Sequence, residues 1–162
     1  MHGVGGNTHT SKELEMTIAE HGIPWLRVVR DATLAPRKTR IREPEDAVRL
    51  LQPLAAAEEV EVFWVLLLDS QSQVRGAVEV FRGTLNSCVA HPREIFRLAV
   101  LYGAAGIIVA HNHPSGDPTP SAEDRACTRS LKAAGELLDI PLYDHIVVTA
   151  DRFVSFASSG LL

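Results

Sequence analysis

Apolar positions along the chain fall into short blocks separated by polar turns, and the spacing within each block predicts an alternation of helices and strands. Ser11 to Glu20 carries Leu14 and Ile18 four apart, the stripe of a short helix stopped around Gly22 and Pro24. Trp25 to Arg30 reads as a strand, whereas residues 1–10, Gly-rich and polar, are expected to be poorly fixed. Pro44 suits a first helical position, with Ala47, Leu50 and Leu51 on the inner face of the helix it opens. Glu61 to Leu68 is a nearly unbroken apolar run of strand length, and the polar stretch Asp69 to Gln73 joins it to a second strand from Val74 to Phe81. So short a connection predicts an antiparallel hairpin.

Pro92 opens the next helix, which places Phe96, Leu98, Ala99 and Val100 against the sheet and ends near Gly103. Gly106 to Ala110 has the length and composition of a buried strand, Ser121 to Leu138 is a helix, and Ile146 to Thr149 with Arg152 to Phe156 forms a final hairpin. Helices packed on a mixed, largely antiparallel sheet make an α+β fold with αβα layers.

The chemistry concentrates where the buried strand ends, in His111-Asn112-His113-Pro114-Ser115-Gly116-Asp117-Pro118-Thr119-Pro120-Ser121-Ala122-Glu123-Asp124. Side chains two apart on extended backbone point the same way, so His111 and His113 can converge while Asn112 faces the other side. The Gly/Pro-rich turn brings a helix start back toward them, with Ser121 at the cap and Asp124 in the first turn. Two imidazoles and one carboxylate on tetrahedral zinc leave a fourth position for water, the arrangement of a catalytic rather than a closed structural site. Pro114, Pro118 and Pro120 restrict the loop and lower the entropy cost of assembling those groups. Asn112 is read as fixing the loop through backbone hydrogen bonds. His145 is read either as a hydrogen-bonding partner of a ligand or as a structural residue at a strand entrance. Asn86 and Ser87 line a groove or close a turn, and His91 to Glu94 is read either as the frame of a helix start or as placing Arg93 near the active face.

This segment resembles the JAB/MPN metal-dependent hydrolases with the JAMM motif, and more closely their RadC-like branch. The family motif is His-x-His, seven residues, Ser, two residues, Asp, and His111, His113, Ser121 and Asp124 match it without departure. Further matching stretches are Glu61 to Asp69, Gly83-Thr84-Leu85-Asn86, His91-Pro92-Arg93-Glu94, Asp144 to Val148, Phe153 to Phe156 and Gly160-Leu161-Leu162. The resemblance divides the chain into an N-terminal extension over residues 1–42 and a RadC-like domain over residues 43–162. It implies a cytidine-deaminase-like JAB/MPN fold. Longer members of the branch carry an N-terminal helix-hairpin-helix module; nothing before Glu43 resembles one, so a DNA-binding role of that module is not transferred.

By the same resemblance, one zinc ion per chain is held by His111, His113 and Asp124 and acidifies a water molecule. The residues alone leave Glu58, Glu59, Glu61 and Glu79 open as the base. The resemblance selects Glu61 to take the proton from water and return it to a leaving amine, and Ser121 to donate a hydrogen bond to the developing oxyanion. The implied activity is that of a zinc metallopeptidase or isopeptidase.

Composition narrows the remainder. The chain has 162 residues, enough for one substantial core, and 46% hydrophobic with 22% charged residues fits a globular protein. No apolar run reaches a membrane span, and the N-terminus lacks a basic region followed by an apolar core, so a cytoplasmic location is expected. Cys88 and Cys127 form neither a close metal pair nor a disulfide framework; Cys127, one turn after Asp124, is read as a buried small hydrophobe. A formal charge of −4 does not indicate an extensive nucleic-acid surface, although Arg27, Arg30, Arg37, Lys38, Arg40 and Arg42 make one region basic. The expected partner is a peptide or protein substrate; no membrane partner is expected, and a homo-oligomer is left open. Two competing classes stand beside the hydrolase: a DNA-repair-associated or DNA-binding protein, and a metal-stabilised interaction domain without turnover. His-Asn-His in one string is unlike the HNH nucleases, which distribute those residues over a ββα unit.

Overall fold

A computed structural model describes residues 39–83 and 91–162. The helix expected over Ser11 to Glu20, the strand over Trp25 to Arg30, the reading of residues 1–10, and Asn86, Ser87 and Cys88 lie outside the described residues. So do Arg27, Arg30, Arg37 and Lys38 of the basic region.

The described elements run α1 (Pro44–Ala55), β1 (Val62–Leu68), β2 (Val74–Arg82), α2 (Pro92–Tyr102), β3 (Gly106–Asn112), α3 (Ala122–Leu138), β4 (Leu142–Val148) and β5 (Phe153–Ser155). The strands form one sheet in the order β2-β1-β3-β4-β5, with β3 and β4 parallel and the other neighbours antiparallel. Mixed pairing, helices on both faces and αβα layering agree with the expected fold class.

Sequence explains the position of each strand in that order. All seven residues of β1, Val62 to Leu68, are buried, as are all seven of β3, because both faces of these central strands are covered. Strand β2 alternates half-buried and exposed positions, the pattern of an edge strand with one face on the core. Two apolar clusters result, one on each sheet face. Ala47, Val48, Leu51 and Ala55 of α1 pack with Val62, Trp64, Leu66, Ile108, Ile146 and Val148. On the opposite face, Ile95, Phe96 and Ala99 of α2 join Cys127 and Leu131 of α3 over Phe63, Val65, Leu67, Ile107 and Val109. Each fully buried aliphatic side chain contributes about 1.5–3 kcal/mol. Cys127 is a core residue, as expected.

Helix ends follow their local chemistry. Pro44 stands at the start of α1, whose cap is a reciprocal pair between Glu43 and Asp46. Gly103 closes α2 in the left-handed conformation, φ 60°, which glycine adopts without Cβ strain.

The structure corrects three expectations. Val100 is 60% exposed, because the buried stripe of α2 is Ile95, Phe96 and Ala99, which rotates Val100 toward solvent. Strand β3 continues through His111 and Asn112, so the first histidine is a strand residue and not part of the loop. Strand β4 begins at Leu142 and not at Ile146. Asp144 and His145 interrupt its apolar pattern, yet their polar atoms are satisfied inside the fold: Ser155 Oγ donates to Asp144 Oδ2 at 2.6 Å, and Ala157 N–H and His145 N–H donate to Asp144 Oδ1 at 2.9 and 2.8 Å.

Gly135 of α3 packs tightly against the turn that leads into β4 and against Phe96 of α2. A Cβ there would lie 2.6 Å from the Ile140 carbonyl oxygen and 3.2 Å from Phe96 Cζ. Alanine is the better helix former by about 1 kcal/mol. Gly135→Ala is nevertheless expected to destabilise the fold by about 1–3 kcal/mol, the usual cost of overpacking. Urea denaturation monitored by circular dichroism measures it, and a gain in stability would contradict this packing.

Candidate metal centre

Strand β3 delivers His111 and Asn112 at its C-terminal end, and the register Phe63↔His111 sets this end beside the start of β1. Residues 113–120 then form the loop that returns to α3. Its first turn is held by the His113 N–H donating to Val148 O and the Gly116 N–H donating to His113 O, both at 3.0 Å. Ser121 caps α3 and Asp124 is its third residue: the Asp124 N–H donates to Ser121 Oγ at 3.0 Å, and the Ser121 N–H and Oγ–H both donate to Asp124 Oδ2 at 2.7 Å. The capping box expected from sequence is therefore present, with Asp in the place more often held by Glu or Gln.

One carboxylate performs two tasks here. While Oδ2 closes the cap, Asp124 Oδ1 lies 3.1 Å from His111 Nε2, and Oδ2 is 3.7 Å from His113 Nε2. The two Nε2 atoms face each other at 3.0 Å. Ligand atoms of His111, His113 and Asp124 all lie within 4.8 Å of one another, so this trio could hold a metal ion. The donor set suits one. His113 Nδ1 lies 2.7 Å from the Asp117 carbonyl oxygen, an acceptor only, so this nitrogen carries the ring hydrogen and Nε2 keeps its lone pair for a cation.

Burial sharpens the electrostatics. His111 is fully buried, while the His113 side chain keeps 14% exposure and opens the site on one side. Burial by itself would raise the Asp124 carboxyl, but hydrogen bonds with His111, His113 and Ser121 and the charge of His111 outweigh it and hold the group far below the usual carboxylate range. His113 is raised, chiefly by its hydrogen bond with Asp124 and against its own burial, with Asp117 and the charge of Glu61 adding to the effect. Without a metal, a proton is thus drawn to the place a metal would take.

Glu61 immediately precedes β1 and is half-buried. Carried two residues on, the β1/β3 register sets it opposite His113, on the face shared by Phe63 and His111. The backbone around it is pinned from both sides: the Gly83 N–H donates to Glu61 O at 2.9 Å, the Val62 N–H donates to Asn112 Oδ1 at 2.7 Å, and Asn112 Nδ2 donates to Val60 O at 2.9 Å. Asn112 therefore fixes the entrance of β1, not the loop as its sequence position suggested. Among the other acids considered, Glu58 and Glu79 are both engaged by Arg82, and Glu59 is exposed. Arg93 is exposed and pairs with Glu94 of its own helix at 3.4 Å.

The surroundings include residues that sequence reasoning did not single out. Phe63 stacks on His111 with ring centroids 6.0 Å apart, and Phe156 stacks on His145 at 4.7 Å. Arg152 donates to the Gly116 carbonyl and braces the loop. His145 is not at a strand entrance but inside β4, fully buried, with Nε2 2.9 Å from His111 Nδ1 and Nδ1 2.7 Å from Thr128 Oγ1. Thr128 could have been found from its spacing: four residues after Asp124, it lies on the same helix face.

A mixed sheet in αβα layers, with a His–His–Asp cluster between a strand end and a helix start, defines a JAB-type domain with the potential of a metal-dependent hydrolase. The chain belongs to the RadC-like JAB domain family, whose model matches residues 41–161. A UPF0758 protein of Desulforamulus reducens is 43% identical over 139 residues, covering 85% of this chain and 61% of the relative. A UPF0758 protein of Listeria monocytogenes is 45% identical over 120 residues, 74% of this chain and 54% of the relative. One from Geobacter sulfurreducens is 47% identical over 102 residues, 63% of this chain and 44% of the relative. The chain thus spans about half the length of the curated relatives it matches, and their names state no activity. Among the described residues, no helix is long and apolar enough to cross a membrane.

His113→Ala is expected to abolish most metal retention and leave the far-ultraviolet circular dichroism nearly unchanged, since His113 belongs to neither apolar cluster. Elemental analysis after mild dialysis decides, and equal retention in both proteins would exclude His113 as a ligand. Retention in the wild type should also weaken as pH falls. His113 is raised, so its proton competes more strongly for the ligand nitrogen than that of a free imidazole, and apparent metal affinity should decline with falling pH.

Proposed function

We propose that this domain is a zinc-dependent hydrolase that cleaves an amide bond in a peptide or protein, as a metallopeptidase or isopeptidase. The observation that carries the reading is the convergence of two imidazole Nε2 atoms and one carboxylate on a partly open site, with Glu61 at the adjoining strand entrance. His111, His113 and Asp124 would hold the zinc. Three protein ligands of this type favour zinc and leave one position open. When bound, the ion supplies a Lewis acid for the carbonyl and lowers the pKa of water.

The chain's own residues supply the remaining roles. Glu61 accepts the proton of the attacking water and passes it to the leaving nitrogen. Its selection over Glu58 and Glu79 is supported by Arg82, which holds those two carboxylates in a surface ion pair, and by the influence of the Glu61 charge on His113. The clamp of Asn112 and Gly83 on the flanking backbone limits the motion of Glu61, which favours a proton acceptor held in one place. Ser121 sits at the exposed rim with its hydroxyl committed to Asp124 Oδ2. Turning that hydroxyl outward, while its backbone N–H keeps Oδ2, directs a donor toward the oxygen of the reacting carbonyl.

Glu61→Gln preserves size and hydrogen bonding but removes the carboxylate base. Zinc content close to the wild type is expected, together with a loss of roughly a hundredfold or more in hydrolysis of a peptide or isopeptide that the wild type cleaves, the scale of general acid–base assistance. A fully active Glu61→Gln protein would rule Glu61 out as the base, and loss of zinc would assign it a ligand or structural role instead.

A further inference from the structure

Hydrogen-bond bookkeeping behind the metal ligands runs in one direction only. Thr128 Oγ1 has a single hydrogen, and it points to the Asp124 carbonyl oxygen at 2.7 Å, a group that can only accept. The other neighbour of that hydroxyl is His145 Nδ1 at 2.7 Å, so here the hydroxyl accepts and Nδ1 donates. With one hydrogen on each ring, His145 Nε2 is then bare and accepts from His111 Nδ1 at 2.9 Å. His111 Nε2 in turn is left without a hydrogen, facing His113 Nε2 and Asp124 Oδ1. Thr128, His145, His111 and Asp124 are buried, and among the described residues no buried side-chain nitrogen or oxygen is without a partner.

We propose that Thr128 and His145 are positioning residues that set the tautomer of His111 and so aim its Nε2 lone pair at the metal. The relay starts at the carbonyl of Asp124, itself a ligand, and ends at the ring of another ligand, so helix α3 and strand β3 are tied together behind the site as well as through it. Phe63 and Phe156 stack on the two rings and leave each little freedom to turn. The proposal depends on the trio holding a metal and not on the reaction carried out there.

Nitrogen-15 NMR of the zinc-loaded full chain, labelled at histidine, reads the ring hydrogens directly. The expected spectrum has the hydrogen of His145 on Nδ1 and its Nε2 bare; a hydrogen on His145 Nε2 would overturn the relay without recourse to any variant. Thr128→Val removes the hydroxyl at nearly constant volume, and Thr128→Ser restores it. Competition with a chromophoric chelator is expected to show zinc affinity reduced by about 10–100-fold in Thr128→Val, the usual effect of losing a group that orients a ligand. Thr128→Ser should recover most of it. Thr128→Val with wild-type affinity and an unchanged His145 tautomer would refute the positioning role, whereas a wild type that binds no zinc would remove the metal site itself.

Discussion

Parallel pairing of β3 with β4 is the constraint on which the site depends. Parallel neighbours cannot be joined by a tight turn, so the chain leaves β3 after Asn112, forms a loop, and returns along the sheet as α3 before entering β4. The N-terminus of the crossover helix is thereby placed at the C-terminal end of the strand it follows, where His111 emerges. Asp124, three residues into that helix, meets two imidazoles that the strand and its extension hold side by side. A tight antiparallel hairpin after β3 would leave no helix start at this position and no carboxylate to complete the trio.

The second consequence of that geometry is electrostatic. A carboxylate, two imidazoles and a third buried imidazole gather in a largely buried site open on one side, and such a cluster persists only if each buried polar atom has a partner. The protein meets this requirement by sharing groups: Asp124 Oδ2 serves the helix cap, Oδ1 faces His111, and the Asp124 carbonyl receives the Thr128 hydroxyl. What the backbone and hydroxyls do not satisfy is the pair of Nε2 lone pairs and the facing carboxylate oxygen. A cation is the partner that answers all three. The same arrangement explains why the Asp124 carboxyl is held far below its usual range and the His113 imidazole is raised.

Much of the fold was legible because its signals are local. Val62 to Leu68 and Gly106 to Ala110 read as buried strands from their length and composition, Pro44, Pro92 and Ser121 sit at helix starts, and Gly103 ends a helix. Pattern and structure part where packing overrides local signals. Asp144 and His145 break the apolar run of β4, which hides its first half from the pattern; their carboxylate and ring are satisfied by Ser155, Ala157 and Thr128, 11 to 17 residues away. The apolar run of α2 points Val100 inward, but Ile95, Phe96 and Ala99 define the buried stripe and turn it out.

By itself the sequence determined which residue types could meet a metal, since His111 and His113 alternate on extended backbone and Ser121 with Asp124 begins a helix after a Gly/Pro-rich loop. These relations span few residues and depend on strand and helix periodicity alone. Tertiary structure decided everything that depends on neighbours from other elements: that Arg82 occupies Glu58 and Glu79, that Asn112 pins the backbone on either side of Glu61, and that His145 and Thr128 stand behind His111. Those contacts join positions 17 to 52 residues apart, apart from the local pair of Arg82 with Glu79. No local period encodes such distances; strand order and register do.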